Sequence, residues 1–82
     1  NLSFNEDDNE ENIKKMRMLI DRFGKEVSAD GAEAIIMQKF YGVSIKKIAD
    51  RQKRTTSAQK EFIRASKKRL AKYCIKHGNF KE

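Results

Sequence analysis

Apolar residues recur at three- and four-residue spacing along four stretches of the chain, a pattern that predicts helices rather than strands. The first stretch covers about residues 12 to 23, where Gly24 follows as the expected carboxyl-terminal cap, and its inward face carries Ile13, Met16, Leu19, Ile20 and Phe23. The second stretch stops near Gly42, and its stripe consists of Ala32, Ile35, Ile36 and Phe40. The pattern therefore predicts two longer helices before residue 42.

Residues that favour helix starts predict where the remaining helices begin. Ser28 or Asp30 would cap the second helix, and Glu33 stands in the capping-box position after Asp30. Ser44 would cap a short third helix whose inward residues are Ile45, Ile48 and Ala49. A Thr56–Gln59 capping box would open a fourth helix of roughly residues 57 to 76 that ends at Gly78, with Phe62, Ile63, Ser66, Leu70, Tyr73 and Cys74 along one side.

Length and composition limit this arrangement to one small domain. The chain has 82 residues, of which 38% are apolar and 38% charged, and it has no proline. These values are typical of a soluble all-α bundle of about four helices. No apolar run approaches the ~20 residues that a bilayer requires. No secretory leader is expected, because the amino-terminal residues lack a charged segment followed by an apolar one. No internal disulfide is expected either, since Cys74 is the single cysteine, and the chain fits a reducing cytoplasm. The start at Asn1 suggests a fragment of a longer protein.

Charge is distributed very unevenly. The first twelve residues hold five acidic residues and no base, whereas residues 46 to 76 hold twelve Lys or Arg and only two acids, Asp50 and Glu61. This asymmetry predicts an acidic, disordered leader over residues 1–11 and a folded domain over residues 12–80 whose basic half binds a polyanion. Residues 6 to 11 could fold back on the basic half and compete with that polyanion, or remain a solvated tail.

Two helices joined by a tight bend, the second longer and basic, are typical of a helix-turn-helix that places its second helix in the major groove of DNA. Ala49 is small enough for the two helices to approach closely. The expected contacts to base edges are Thr55, Ser57, Ala58, Lys60 and Arg64. The expected contacts to phosphates are Ser44, Lys46, Lys47, Lys53, Arg54, Lys67 and Lys68.

Two segments, "IIMQKFYGVSIKKIAD" and "ASKKRL", resemble region 4 of the sigma-70 family of bacterial transcription initiation factors. The resemblance covers about residues 27 to 72. It implies a phage or mobile-element regulator that binds promoter-like duplex DNA and, as in that family, RNA polymerase. The chain departs from the family pattern at Gln52, Lys53 and Gln59, where the family usually has an apolar residue, a glycine and an apolar residue. Either these side chains are exposed or the bend differs from that of the family. We favour a shifted bend in which Phe62 and Ile63 supply the apolar contact and the amino-terminal end of the fourth helix protrudes.

Two other binding functions are compatible with the same residues. The domain could be a protein-interaction module that contacts RNA polymerase or another regulator without reading DNA, or its fourth helix could bind RNA.

Enzymatic and metal chemistry have weaker support. Cys74 and His77 lie one helical turn apart but supply only two of the four ligands of a structural zinc, and no third group would orient them as a catalytic dyad. The sequence accordingly predicts neither a catalytic residue nor a cofactor.

Overall fold

The computed structural model describes residues 10–77, which form four α-helices and contain no strand. This confirms the predicted all-α bundle. The helices are α1 (Glu10–Glu26), α2 (Ala29–Phe40), α3 (Ile45–Gln52) and α4 (Thr56–His77). The expected leader lies outside the described residues up to residue 9, and so does the expected cap at Gly78.

The ends of α1 differ from the predicted ones at both sides. The helix already includes Glu10 and Glu11, two residues before the expected start at about residue 12, and it continues through Gly24 to Glu26. Gly24 is therefore not a cap. A Cβ at this position would lie 2.9 Å from the Cβ of Ala32 in α2, so the glycine lets the two helices approach closely.

Ser28 is the residue that caps α2. Its Oγ accepts a hydrogen bond from the backbone N–H of Gly31 at 2.9 Å, whereas Asp30 lies within the first turn. The predicted capping box of Asp30 with Glu33 is therefore wrong. The other end agrees with the prediction, because α2 stops at Phe40 and Gly42 follows with φ +64°.

Helices α2 and α4 both contribute residues to the two apolar clusters of the core. The larger cluster joins α1, α2 and α4 through Met16, Leu19, Ile20, Phe23, Ala32, Ile35, Leu70, Tyr73 and Cys74. The smaller cluster joins α2 to α3 and α4 through Ala34, Ile48 and Ile63, with Met37, Val43, Ile45 and Phe62 packed against it. Helices α3 and α4 are thus both anchored to α2.

Helix α4 buries one side only. The residues on that side recur at three- and four-residue spacing, as an amphipathic helix requires: Gln59, Ile63, Ser66, Leu70, Tyr73 and Cys74. The rest of its surface carries seven Lys or Arg residues, and Ile75 is an exposed apolar residue among them. Within residues 10–77, no helix combines the length and the apolar character needed to cross a bilayer.

Candidate nucleic-acid interface

Helix α3 ends in a turn whose left-handed residue is usually glycine but is Lys53 here. Lys53 has left-handed backbone angles of φ 59° and ψ 49°, and its N–H bonds back to the carbonyl groups of Ala49 and Asp50. The next N–H, that of Arg54, donates to the Ala49 carbonyl at 2.9 Å. These are the bonds of a Schellman motif, in which glycine is the usual left-handed residue. The backbone thus adopts the sharp bend even though a lysine occupies that position.

Thr55 begins α4. Its Oγ1 accepts from the backbone N–H of Ala58 at 3.1 Å, which makes Thr55 rather than Thr56 the capping residue. The predicted Thr56–Gln59 box is therefore wrong, and the Gln59 side chain points into the protein instead, with no solvent exposure. On the other side of the bend, Ser44 caps α3 as predicted and accepts from the N–H of Lys47 at 3.3 Å.

A chain of side-chain amides fills the space inside the bend. Gln59 Nε2 donates to Gln52 Oε1 at 2.9 Å, and Gln52 Nε2 donates to Glu33 Oε1 at 2.9 Å and to the Asp30 carbonyl at 3.0 Å. Exposure of both glutamines, one of the two expected arrangements, is wrong, since Gln59 is buried and Gln52 is half-buried. Each makes hydrogen bonds, so no desolvated amide is left without a partner.

The carboxylate of Glu33 holds the outer end of this chain. It accepts from Gln52 and also from Arg51 Nε at 3.2 Å. The hydrogen bond from Gln52, followed by the bond and charge of Arg51, lowers the pKa of Glu33 below its ordinary value, although partial desolvation opposes the shift. The network therefore links α2 to α3 most strongly when Glu33 is ionised.

Arg54 contacts other residues of the chain rather than extending into solvent. Its guanidinium lies 3.9 Å from the centre of the Phe62 ring, donates to Gln52 Oε1 at 2.8 Å and forms an ion pair with Asp30 at 3.5 Å. Only 27% of the side chain is exposed. These contacts indicate that Arg54 stabilises the bend, and they do not favour its expected role as a phosphate contact.

The five residues expected to contact base edges are all exposed along the first three turns of α4 and the residue before it: Thr55, Ser57, Ala58, Lys60 and Arg64. Two of them already have contacts within the chain. The Thr55 hydroxyl caps the helix, and Arg64 forms an ion pair with Glu61 at 3.8 Å in which both side chains are more than two thirds exposed. Such an exposed pair contributes little stability and would dissociate readily in favour of a phosphate.

Most of the residues expected to contact phosphates are also accessible. Exposed are Ser44, Lys46, Lys47, Lys53 and Lys68, while Lys67 is half-buried. Lys53 stands at the tip of the bend, whereas Lys46 and Lys47 lie in the first turn of α3. The structure thus leaves cations accessible on α3, on the bend and on α4.

A groove of about 360 Å³ lies where α2, α3 and α4 meet. One wall carries Lys60, Arg64 and Lys67, which follow each other at four- and three-residue spacing on α4. Ile63 and Ile45 supply apolar surface, and Gln38 of α2 completes the lining. The groove places the start of α3 beside the first three turns of α4.

The cations in the second half of α4 lie elsewhere. Arg69, Lys72 and Lys76 also recur at three- and four-residue spacing, but on the opposite flank of the helix from Lys60 and Lys67. All three are exposed. Lys68 lies between these two sets on the helix, so the basic residues together cover the exposed side of α4, and only Lys60, Arg64 and Lys67 line the groove.

Cys74 and His77 do not form a reactive pair. Cys74 is fully buried, and burial raises the pKa of its thiol to about 11. A thiol with so high a pKa stays protonated at neutral pH and is a poor nucleophile or metal ligand. His77 is exposed, and its ring packs against Tyr73 with 4.4 Å between the ring centres. Within residues 10–77, no group of three or more His, Cys, Asp and Glu is arranged to hold a metal.

The sequence reasoning missed two parts of this region. Gln38 was assigned to no site, and Asp30 and Glu33 were interpreted as helix caps rather than as partners of Arg54 and Gln52. Two polar residues at positions 52 and 59, where the surrounding pattern favours apolar ones, were the available signal for an internal amide pair.

No family model, characterised protein or solved structure matches this chain.

Proposed function

We propose that this domain binds double-stranded DNA in a sequence-specific way through α3 and α4, as a helix-turn-helix of the sigma region 4 type, and that it acts in transcription regulation. The observation that carries the proposal is the one-sided burial of α4. Its inner side packs into the core, which leaves Ser57, Lys60, Arg64 and Lys68 projecting from the first half of the helix. A rigid, basic helix of this kind fits the major groove.

The bend between α3 and α4 supports the same function. The amide pair of Gln52 and Gln59 and the contacts of Arg54 hold α4 at a fixed angle to α3. A recognition helix needs such support, because a displacement of about 1 Å is enough to weaken directional hydrogen bonds. Lys46 and Lys47 on α3 would meet the phosphates beside the groove while α4 reads the bases.

The roles proposed for the residues of α4 follow from the chemistry of their side chains. Small residues at the start of α4, Ser57 and Ala58, allow close approach to base edges, where a hydroxyl can donate or accept and a methyl can contact thymine. Lysines at the periphery bind phosphates, which fixes the position of the helix without carrying sequence information. Net charge of +7 steers the protein to any duplex first.

Selection from a pool of random duplexes tests the proposal. The protein should enrich a defined sequence, and it should bind that duplex on the order of 10³-fold more tightly than a shuffled duplex of equal length at the same salt concentration. Double-stranded RNA of the same sequence serves as the control for charge alone. Equal affinity for the selected and shuffled duplexes would contradict sequence-specific recognition.

A second function, as a protein-interaction module, is favoured by a different observation. A groove of about 510 Å³ between α1, α2 and α3 is lined by apolar residues, among them Ala32, Ile36 and Met37, and by the charged residues Asp21, Lys25, Glu33 and Arg51. Tyr41, which also lines it, is 65% exposed. Purified bacterial RNA polymerase core enzyme is the direct probe. Polymerase binding that is lost with Tyr41→Ser but kept with Lys60→Ala would support this function, and absence of binding by the wild-type protein would argue against it.

A further inference from the structure

The groove between α2, α3 and α4 contains features that neither the predicted base contacts nor the predicted phosphate contacts explain. Lys60 and Arg64 were expected at base edges and Lys67 at a phosphate, yet all three line the same wall. We propose that this groove binds the sugar-phosphate backbone of one DNA strand. The inference rests on the proposed function and reassigns Lys60 and Arg64 from base edges to the strand backbone.

The composition of the groove matches the chemistry of a DNA strand. A strand alternates anionic phosphates with deoxyribose rings, whose C–H edges are apolar. The groove likewise combines three cations with the apolar side chains of Ile45 and Ile63, and the Gln38 amide adds hydrogen-bond donors and an acceptor. Its volume of about 360 Å³ is comparable with small-molecule pockets, which start at roughly 300 Å³. A sugar-phosphate unit fits such a space.

The position of Lys60 and Lys67 on α4 favours the backbone over the bases. Ile63 is buried and lies on the same side of the helix as these two lysines, so they border the core and not the middle of the exposed face. Arg64 lies one turn from each of them and lines the same groove. When a helix lies in the major groove, the middle of its exposed face meets the base edges and its flanks meet the two strands.

The length of the row formed by Lys60, Arg64 and Lys67 also suits a strand. Seven residues separate Lys60 from Lys67, which corresponds to about 10 Å along the helix axis. Phosphates of one strand follow each other at about 3.4 Å along the duplex axis. The row is therefore long enough to contact more than one phosphate of the same strand.

Single alanine variants test the inference, with Lys72→Ala as the matched control because it removes the same charge from the other flank of α4. Lys60→Ala, Arg64→Ala and Lys67→Ala should each weaken binding to selected and shuffled duplexes by the same factor, about tenfold. Each should also reduce the log–log salt slope by about one. Lys72→Ala should change affinity less than twofold. Thermal unfolding of each variant verifies that the fold is kept.

A second measurement locates the contact on the DNA. Each phosphate of the selected duplex is replaced in turn by an uncharged methylphosphonate. At one or two adjacent positions of one strand, the replacement should weaken binding to the wild-type protein. With that modified duplex, Lys67→Ala should not lower the affinity any further. If no position behaves in this way, the groove does not bind a phosphate and the inference is wrong.

Two further outcomes separate the inference from the proposed function. If Lys60→Ala and Arg64→Ala lose the preference for the selected duplex but keep the salt slope, these residues read bases. That result would overturn the inference alone. Failure of the wild-type protein to bind any duplex would overturn the proposed function, and the inference with it.

Discussion

The side-chain amide of Gln59 donates to Gln52 Oε1 at 2.9 Å, and this bond joins α4 to α3 across the bend. Gln52 in turn donates to Glu33 of α2. Three helices are thus connected by one continuous chain of hydrogen bonds. Apolar residues at positions 52 and 59 would fill the same space without directional bonds, so the amides determine the angle of α4 more tightly than apolar packing would.

The two glutamines should behave as a coupled pair. Gln52→Leu leaves the buried Gln59 amide without its acceptor and removes one of the two donors to Glu33, and should lower the free energy of unfolding by about 1–3 kcal/mol. The double variant Gln52→Leu/Gln59→Leu should recover part of this loss, because neither amide remains unpaired. Urea unfolding of the single and double variants measures the coupling. Additive losses would show that the pair does not act as a unit.

Stability should fall in acid partly through Glu33. Its pKa in the folded state lies below the value in the unfolded chain, about 4.3, so its contribution is complete above that pH and is lost as the pH falls through the folded pKa. Glu33→Gln should therefore be less stable than wild type at pH 7, and the difference should shrink toward pH 3. Thermal unfolding at both pH values measures it. A difference independent of pH would contradict the role assigned to the Glu33 charge.

Gly31 should be sensitive to the addition of a methyl group. A Cβ there would lie 2.8 Å from Ser28 Oγ and 2.9 Å from Ser66 Oγ, so Gly31→Ala must disturb either the α2 cap or the contact between α2 and α4. We expect a loss of about 2 kcal/mol in the free energy of unfolding, which a second change, Ser66→Gly, should partly restore. Gly42→Ala is the comparison, because its Cβ meets no atom within 4 Å and only the positive φ is unfavourable. A loss at Gly31 that Ser66→Gly does not reduce would contradict the steric contact with Ser66.

Lys53 should show opposite effects on stability and on DNA binding. Its left-handed backbone costs about 1 kcal/mol for a residue with a Cβ, so Lys53→Gly should raise the free energy of unfolding by about that amount. The same change removes a cation at the bend and should weaken binding to every duplex. Lys53→Ala removes the charge but keeps the unfavourable backbone angle, and should weaken binding without stabilising the fold.

The helices could be predicted from the sequence because their apolar residues follow a local period, but their ends could not be predicted as well. Ser28 and Asp30 are both good amino-terminal caps, and local sequence does not decide between them. Gly24 has the pattern of a carboxyl-terminal cap, yet it lies inside α1 because Ala32 packs against it. This packing depends on the position of α2, and that position cannot be inferred from the periodicity of α1.

The exposed face of α4 was equally accessible to prediction, since charged residues alternate with the apolar ones at helical spacing. The burial of Gln59 was not, because it depends on Gln52, whose side chain reaches it only after the bend has formed. The groove required tertiary structure in the same way. Gln38 and Ile45 belong to different helices from Lys60, and only their packing brings them together.

We propose that the basic half of the molecule binds duplex DNA, and a salt titration of the wild-type protein with the selected duplex is the decisive experiment. If about six phosphates are neutralised, the logarithm of the association constant should fall with the logarithm of salt concentration with a slope of about −5. A slope near zero, or no binding to duplex DNA at low salt, would show that the basic half does not bind duplex DNA.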